Sequence, residues 1–249
     1  MNEQAERKTV IVTGATSGIG LGIAEAYARQ GANVVLNARS EDKLHEVGKS
    51  LGPAERVAVV AGDIAHKETG DRMVNVAVER FGRVDVLVNN GGHFFPKPFS
   101  EYSEEDLDRF FAVHLKGGYF SSQAAAKQMR KQGGGAIINI TTVLASRGVS
   151  AIPSSAPIAA KGGMNALTRS LAIELAPDNI RVNAVAPGII KTPIHGRTDE
   201  QFEELNGMQP LGHVGVVKDI VDAVQYLAGA TFVTGVVLPV DGGVHAGGA

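Results

Sequence analysis

The sequence predicts a doubly wound α/β fold, a seven-stranded parallel sheet between two layers of helices. Three observations point there. A glycine-rich turn, Thr13-Gly14-Ala15-Thr16-Ser17-Gly18-Ile19-Gly20, follows the apolar run Thr9-Val10-Ile11-Val12 and runs into the helical pattern Ile23, Ala26, Tyr27. Strand and helix patterns then alternate along the chain, as a parallel sheet covered on both faces requires. The fourth strand pattern, residues 84–88, is almost wholly apolar, which suits a doubly covered strand.

Taken in order, residues 8–13 read as the first strand and 19–30 as a helix stopped by Gly31. Residues 32–37 form the second strand and 42–50 a polar helix; 57–60 form a short third strand ending near Asp63. Residues 67–81 are helical, with Met73, Val74, Ala77 and Val78 at helical spacing. A long helical pattern over 104–130 opens on acidic residues, which favour a helix N-terminus, and ends at Gly133-Gly134-Gly135. Residues 136–140 are the fifth strand. Residues 159–176 are a helix with Met164, Leu167, Leu171 and Leu175 on one face, followed by Pro177. Residues 180–185 are the sixth strand, 216–228 a helix and 236–240 the seventh strand. Residues 191–213 have no clean period and hold Pro193, Gly196 and Gly207; they read as a lid over a site or as a plain surface excursion.

Composition narrows the function. A chain of 249 residues without a linker reads as one domain, 1–249. A net charge of −2 gives no bulk attraction to nucleic acid or an anionic membrane. The absence of cysteine excludes disulfides, a thiolate nucleophile and a thiolate metal site, and no metal is expected. No apolar run approaches the roughly 18 residues of a membrane span, and residues 1–8 lack an apolar signal core. The expectation is a soluble cytoplasmic protein.

In open α/β sheets, ligands bind beyond the carboxyl ends of the strands. The first turn suits a dinucleotide: glycines let the backbone lie against a pyrophosphate, and helix-start amides point at the anion. Its residues are Gly14, Thr16, Ser17, Gly18, Ile19 and Gly20. After strand two come Asn37, Ala38 and Arg39, with no acid for the ribose hydroxyls of an NAD-type site. Arg39 offers the planar fork that suits a 2′-phosphate, its alternative being a solvated surface arginine. NADP(H) is therefore expected over NAD(H), with NAD(H) possible. Asp63, followed by Ile64, reads as a cofactor contact or as a helix cap.

Thr-Gly-Ala-x-x-Gly-Ile-Gly resembles the cofactor motif of the short-chain dehydrogenase/reductases, in their single-domain form similar to 3-oxoacyl-[acyl-carrier-protein] reductases. Asn89-Asn90-Gly91-Gly92 is similar to the family's Asn-Asn-Ala-Gly, and Pro187-Gly188-Ile189-Ile190-Lys191-Thr192 to its Pro-Gly-x-x-x-Thr. Thr234-Gly235 and Val240-Asp241-Gly242-Gly243 match its closing pattern, so the resemblance runs from about residue 8 to 243. It implies a Rossmann fold and hydride transfer between nicotinamide and a small-molecule carbonyl or alcohol. Asp63 would meet the adenine, with Ile64 beside it; Asn90 and Gly91 would pass close to the cofactor. Pro187, Gly188, Ile190 and Thr192 would border the nicotinamide carboxamide. Family members commonly pair the long helices after strands four and five. Phe110, Phe111, Tyr119 and Phe120 give apolar surface for this, so a homotetramer is expected, a dimer being the alternative.

The catalytic positions depart from the family's Asn, Ser and Tyr-x-x-x-Lys. Lys161 fits the lysine, which holds the ribose and lowers the tyrosine pKa; four residues before it stands Pro157. Thr142 fits the serine that holds the substrate oxygen, and His114 stands where an Asn supports a relay water. Thr keeps a hydroxyl and His can donate or accept, but Pro carries no proton to give. Pro157 reads as the opening of a helix capped by Ser154 or Ser155. His93, directly after the Asn-Asn-Gly-Gly turn, is a second candidate acid, since histidine titrates near neutral pH. For both histidines the alternative is a hydrogen-bonded structural residue. With no acid at 157, a nucleotide-binding protein of little or no reductase activity is the alternative function.

Overall fold

The computed structural model describes residues 7–148 and 152–247. Each early strand feeds a helix: β1 (Thr9–Thr13) into α1 (Gly18–Arg29), β2 (Asn33–Ala38) into α2 (Glu41–Leu51), β3 (Val57–Ala61) into α3 (Lys67–Phe81). β4 (Val86–Asn89) leads to α4 (Glu104–Phe110), a π-helical turn (Phe111–Lys116) and α5 (Gly117–Gln132). β5 (Gly135–Ile140) precedes α6 (Ser155–Glu174), and β6 (Ile180–Pro187) precedes α7 (Asp199–Glu203) and α8 (Val217–Gly229). The last strand is β7 (Val237–Val240).

All neighbouring strands are parallel, in the order β3-β2-β1-β4-β5-β6-β7. The chain steps outward from β1 to β3, then restarts on the other side of β1. That reversal opens a crevice at the carboxyl ends of β1 and β4. Alternation along the strands builds two cores. Val10, Val12, Val34 and Leu36 face α1, α2 and α8 through Ile23, Leu44 and Ile220. Ile11, Val35, Leu87 and Ile137 face α3, α5 and α6 through Met73, Ala125 and Ala172. The predicted three-layer, seven-stranded architecture is what the structure shows.

The helix ends follow local chemistry. The Ser103 side chain accepts from the Asp106 amide at 3.1 Å while Asp106 accepts from the Ser103 amide at 3.2 Å, a capping box that fixes the start of α4. Gly82 and Gly133 end α3 and α5 in left-handed conformations, which only glycine adopts cheaply.

Three expectations need correction. The helix read over 104–130 is broken by the π-helical turn, where the Gly117 amide bonds back to Ala112 O. Residues 191–213 contain α7, started by a second capping box between Thr198 and Gln201. The segment is tied down by a 2.8 Å Lys191–Asp199 ion pair and by Leu211 N–H donating to Gly242 O at 3.0 Å. Finally, Pro157 does not open α6. The helix starts at Ser155 and Pro157 is its third residue, where a backbone N–H has no intrahelical acceptor and proline costs nothing. Ser154 precedes the helix but makes no side-chain cap; its hydroxyl donates to Ile152 O at 2.9 Å.

Candidate active site

The glycine turn and the β4 turn are locked together. Thr13 Oγ1 accepts from the amides of Asn90 (3.0 Å) and Gly91 (2.8 Å), and Asn90 Nδ2 donates to Thr13 O at 2.9 Å. A Cβ on Gly14 would lie 2.8 Å from Gly91 Cα; one on Gly20 would lie 2.2 Å from Gly14 O. Gly14 and Gly18 also hold φ of 65° and 54°. Glycine is thus required by contact and by backbone, and the close-packed turn at the head of α1 is the glycine cradle. The first backbone bond of that helix is Leu21 N–H to Ser17 O, so the amides of Gly18, Ile19 and Gly20 precede the ladder and have no acceptor within the helix. Ser17 is exposed and Thr16 half-buried beside them. Asn90 itself is a brace for the turn.

At the end of β2 the structure revises the role of Asn37. Its side chain is buried and turned to β3, donating to Val60 O (2.9 Å) and Gly62 O (3.1 Å). Ala38, on the α1 side of the sheet, is the residue that leaves that place without a charge. Arg39 is exposed and has no ion-pair partner among the described residues. Asp63 accepts from the Ala65 amide at 2.9 Å, so it stabilises its own turn; α3 begins further on, after His66. Ile64 packs its side chain toward Gly91, where a Cβ would meet Ile64 Cδ1 at 2.8 Å.

Beyond β6, Pro187 is buried and the Gly188 amide donates to Val240 O at 3.0 Å. Ile190 is buried and Thr192 donates to Ile190 O at 3.3 Å. Thr192 also closes on the first turn, its Cβ 3.4 Å from where a Gly18 Cβ would be. The two segments therefore border one crevice.

On the far side of the crevice stand the candidate catalytic groups. Lys161, on α6, donates to Ile140 O (3.2 Å) and Thr141 O (3.0 Å) at the end of β5. Burial pulls its ammonium down to about 8. Thr142 Oγ1 accepts from the Leu144 amide at 3.3 Å, which leaves its hydrogen free to donate. Pro157 is buried on the same face of α6 as Lys161, one turn earlier.

The π-helical turn carries His114 into this region. Its Nε2 lies 2.9 Å from the backbone oxygen of His93. A carbonyl only accepts, so His114 carries its proton on Nε2. Burial, then the Lys161 charge, lowers its pKa to about 3. His93 is half-buried, its Nε2 has no hydrogen-bond partner among the described residues, and its pKa is lowered to about 4. Burial is the main cause there, with Arg109 and Arg39 adding to it and Asp63 opposing. Both rings are neutral at pH 7. The expectation that one of them titrates near neutral pH fails, because each is desolvated among cations.

Several residues have supporting contacts that the sequence does not show. Gly92 is one: a Cβ there would lie 2.3 Å from His114 Cε1. Aromatic rings form another, with His93 stacked 4.6 Å from Phe110, and Phe95 4.6 Å from Phe110 and 5.6 Å from His93. A buried polar chain is the third. Asn89 donates to Asn139 Oδ1 (2.8 Å) and Ser122 Oγ (2.9 Å), and Asn139 donates to Thr168 Oγ1 (2.9 Å), so β4, β5, α5 and α6 are braced behind the site.

The chain has many relatives. A family model described as Enoyl-(Acyl carrier protein) reductase matches residues 14–245. An L-rhamnose 1-dehydrogenase (NAD(P)(+)) of Azotobacter vinelandii is 40% identical, over 95% of this chain and 96% of that protein. A 3alpha-hydroxysteroid dehydrogenase of Mediterraneibacter gnavus is 38% identical, over 95% and 96%. Among solved structures, a 3-ketoacyl-(acyl-carrier-protein) reductase from Brucella melitensis complexed with NADH superposes with a TM-score of 0.88 at 32% identity, covering 96% of this chain and 98% of that one. The match spans nearly the whole chain in both sequence and fold, with the glycine cradle, the braced β4 turn and the lysine of α6 in place: this protein belongs to the short-chain dehydrogenase/reductase family of oxidoreductases.

Proposed function

We propose that this chain is an NADP(H)-dependent oxidoreductase that moves hydride between nicotinamide and a small carbonyl/alcohol pair. The observation that carries the cofactor assignment is the pairing of an uncharged Ala38 with an exposed Arg39 that has no ion-pair partner among the described residues. The residues present fit the cofactor: a glycine turn packed so closely that a Cβ at Gly14 or Gly20 would clash, helix-start amides that precede the ladder of α1, and the Lys161 ammonium across the crevice. Gly14, Thr16, Ser17, Gly18, Ile19 and Gly20 would hold the pyrophosphate end. Asp63, Ile64, Asn90 and Gly91 would border the adenine half; Pro187, Gly188, Ile190 and Thr192 would border the nicotinamide.

When bound, the nicotinamide supplies or accepts the hydride. The protein's own residues do the rest. Thr142 donates a hydrogen bond to the substrate oxygen, and the Lys161 ammonium sets its positive charge beside the ribose. His114 and His93 act as neutral groups that shape the pocket and hold polar atoms in place. The 191–213 segment covers the crevice.

The test is NADPH oxidation with a mixed carbonyl panel, beside calorimetric titration of NADPH. Binding with turnover supports the reductase. Pro157 favours a second reading, a nucleotide binder without reductase activity; binding with no turnover on any carbonyl would establish that one.

A further inference from the structure

The pocket lacks a phenol at 157, yet an alkoxide formed by hydride addition still needs a proton. The groups around the crevice can be weighed in turn. The Thr142 hydroxyl is too weak an acid to release its proton. His114 spends its only N–H on the His93 carbonyl, and its Nδ1 faces Gly92. His93 is a neutral ring whose Nε2 is buried without a partner among the described residues. Arg39 and Arg109 do not deprotonate in proteins. Asp63 is an acceptor tied to the Ala65 amide. Ser154 donates to Ile152 O.

Lys161 remains. Its ammonium has three N–H groups; two are on the carbonyls of Ile140 and Thr141. The third is left for the small cavity that Lys161 lines with Thr13, Asn89, Gly91, His114 and Met164. That cavity lies between the ends of β1, β4 and β5 and the π-helical turn, and Lys161 enters it beside Thr141, the residue before Thr142. Around the ammonium, β5 presents only carbonyls, the π-helical turn presents neutral His114, and the β4 turn presents neutral His93. No carboxylate pairs with it among the described residues. An unpaired, buried ammonium gives up a proton far more readily than a solvated one.

We propose that Lys161 is the proton donor in reduction, and the acceptor in oxidation, in place of the missing tyrosine. This rests on the oxidoreductase function proposed above. Hydride adds to the carbonyl carbon and the C=O π pair becomes a lone pair on oxygen. That oxygen forms an O–H bond as an N–H bond of Lys161 breaks. Lys161 is left as the neutral amine and takes a proton back from solvent.

The experiment has two arms. In the first, protein with labelled lysine side chains is titrated by NMR without cofactor. The signal missing from Lys161→Met should titrate with a midpoint of about 8. In the second, NADPH oxidation is followed across pH for the wild type and Lys161→Arg, with NADPH affinity measured by calorimetry. Arginine keeps the cation and its hydrogen bonds but cannot release a proton. The variant should bind NADPH within severalfold of the wild type, reduce carbonyls about 10²–10⁴-fold more slowly, and lose the wild type's roughly tenfold fall in rate per pH unit above about 8. A lysine signal with an ordinary midpoint near ~10.4 overturns the proposal. So does a Lys161→Arg enzyme that keeps the wild-type rate and profile, which leaves the oxidoreductase function standing. A wild type that binds NADPH and reduces nothing overturns both. Should Lys161→Arg fail to fold, the wild-type midpoint and pH profile decide by themselves.

Discussion

His114 Nε2 donates to the backbone oxygen of His93 across 2.9 Å, and this single bond fixes the state of the ring. The proton is on Nε2, and a second proton would have to enter a desolvated site near Lys161. The folded-state pKa of about 3 lies below the ordinary 6.5, so between those values the folded chain binds fewer protons than the unfolded one. Stability from this group is full above about 6.5 and is lost as pH falls toward 3. His93, lowered to about 4, acts in the same direction. Urea midpoints at pH 7 and near pH 4.5 should differ less for His114→Asn than for the wild type. Equal differences would mean that the ring is not held neutral by the fold.

Gly92 and His114 form a matched pair. An alanine at 92 would put a Cβ 2.3 Å from the His114 ring, so the ring must leave its bond to His93. Gly92→Ala should cost about 1–3 kcal/mol of stability, the usual range for overpacking. The same change in a His114→Ala background should cost much less, since the clash is gone. Additive costs in a denaturation cycle would rule the contact out as the cause.

Arg39 should set the cofactor preference. A charge-assisted bond to a 2′-phosphate is worth about 1.5–3 kcal/mol, so Arg39→Ala should lower NADP(H) affinity about 10–100-fold and leave NAD(H) nearly unchanged. Equal wild-type affinities for the two cofactors, or an unchanged ratio in the variant, would count against a 2′-phosphate site.

The glycine turn and the β4 turn were legible in the sequence because their geometry is in the backbone. Gly14, Gly18, Gly20 and Gly91 are glycines for reasons of φ and close approach, and such reasons survive in the string of letters. Strand periods likewise fixed the sheet. The catalytic half was poorly legible because it depends on where side chains arrive. Asn37 reads with Ala38 and Arg39 as a stretch without an acid, and only the pleat shows that its side chain is turned to β3. Pro157 was read as a helix start, and the helix begins two residues before it. The π-helical turn that delivers His114 has no period to detect, since it sits within one continuous helical pattern. The neutral state of both histidines follows from desolvation and neighbouring cations, which only the fold brings together.

Assembly should follow the helices after β4 and β5. Phe110, expected at a subunit surface, is fully buried within its own chain against Ala156 and Ala160. Leu107, Phe111 and Tyr119 on the α4–α5 run, and Ile173 on α6, are the exposed apolar side chains there. A tetramer is expected by light scattering behind size exclusion, with Ile173→Glu shifting it to smaller species. A wild-type monomer at micromolar concentration would contradict this.

This chain should reduce carbonyls with NADPH although residue 157 is proline. The most direct measurement is NADPH consumption by the wild type against a panel of ketones and aldehydes, with product identified. Turnover should depend on the carbonyl and fall as pH rises past about 8. Tight NADPH binding with no alcohol formed from any member of the panel would contradict it.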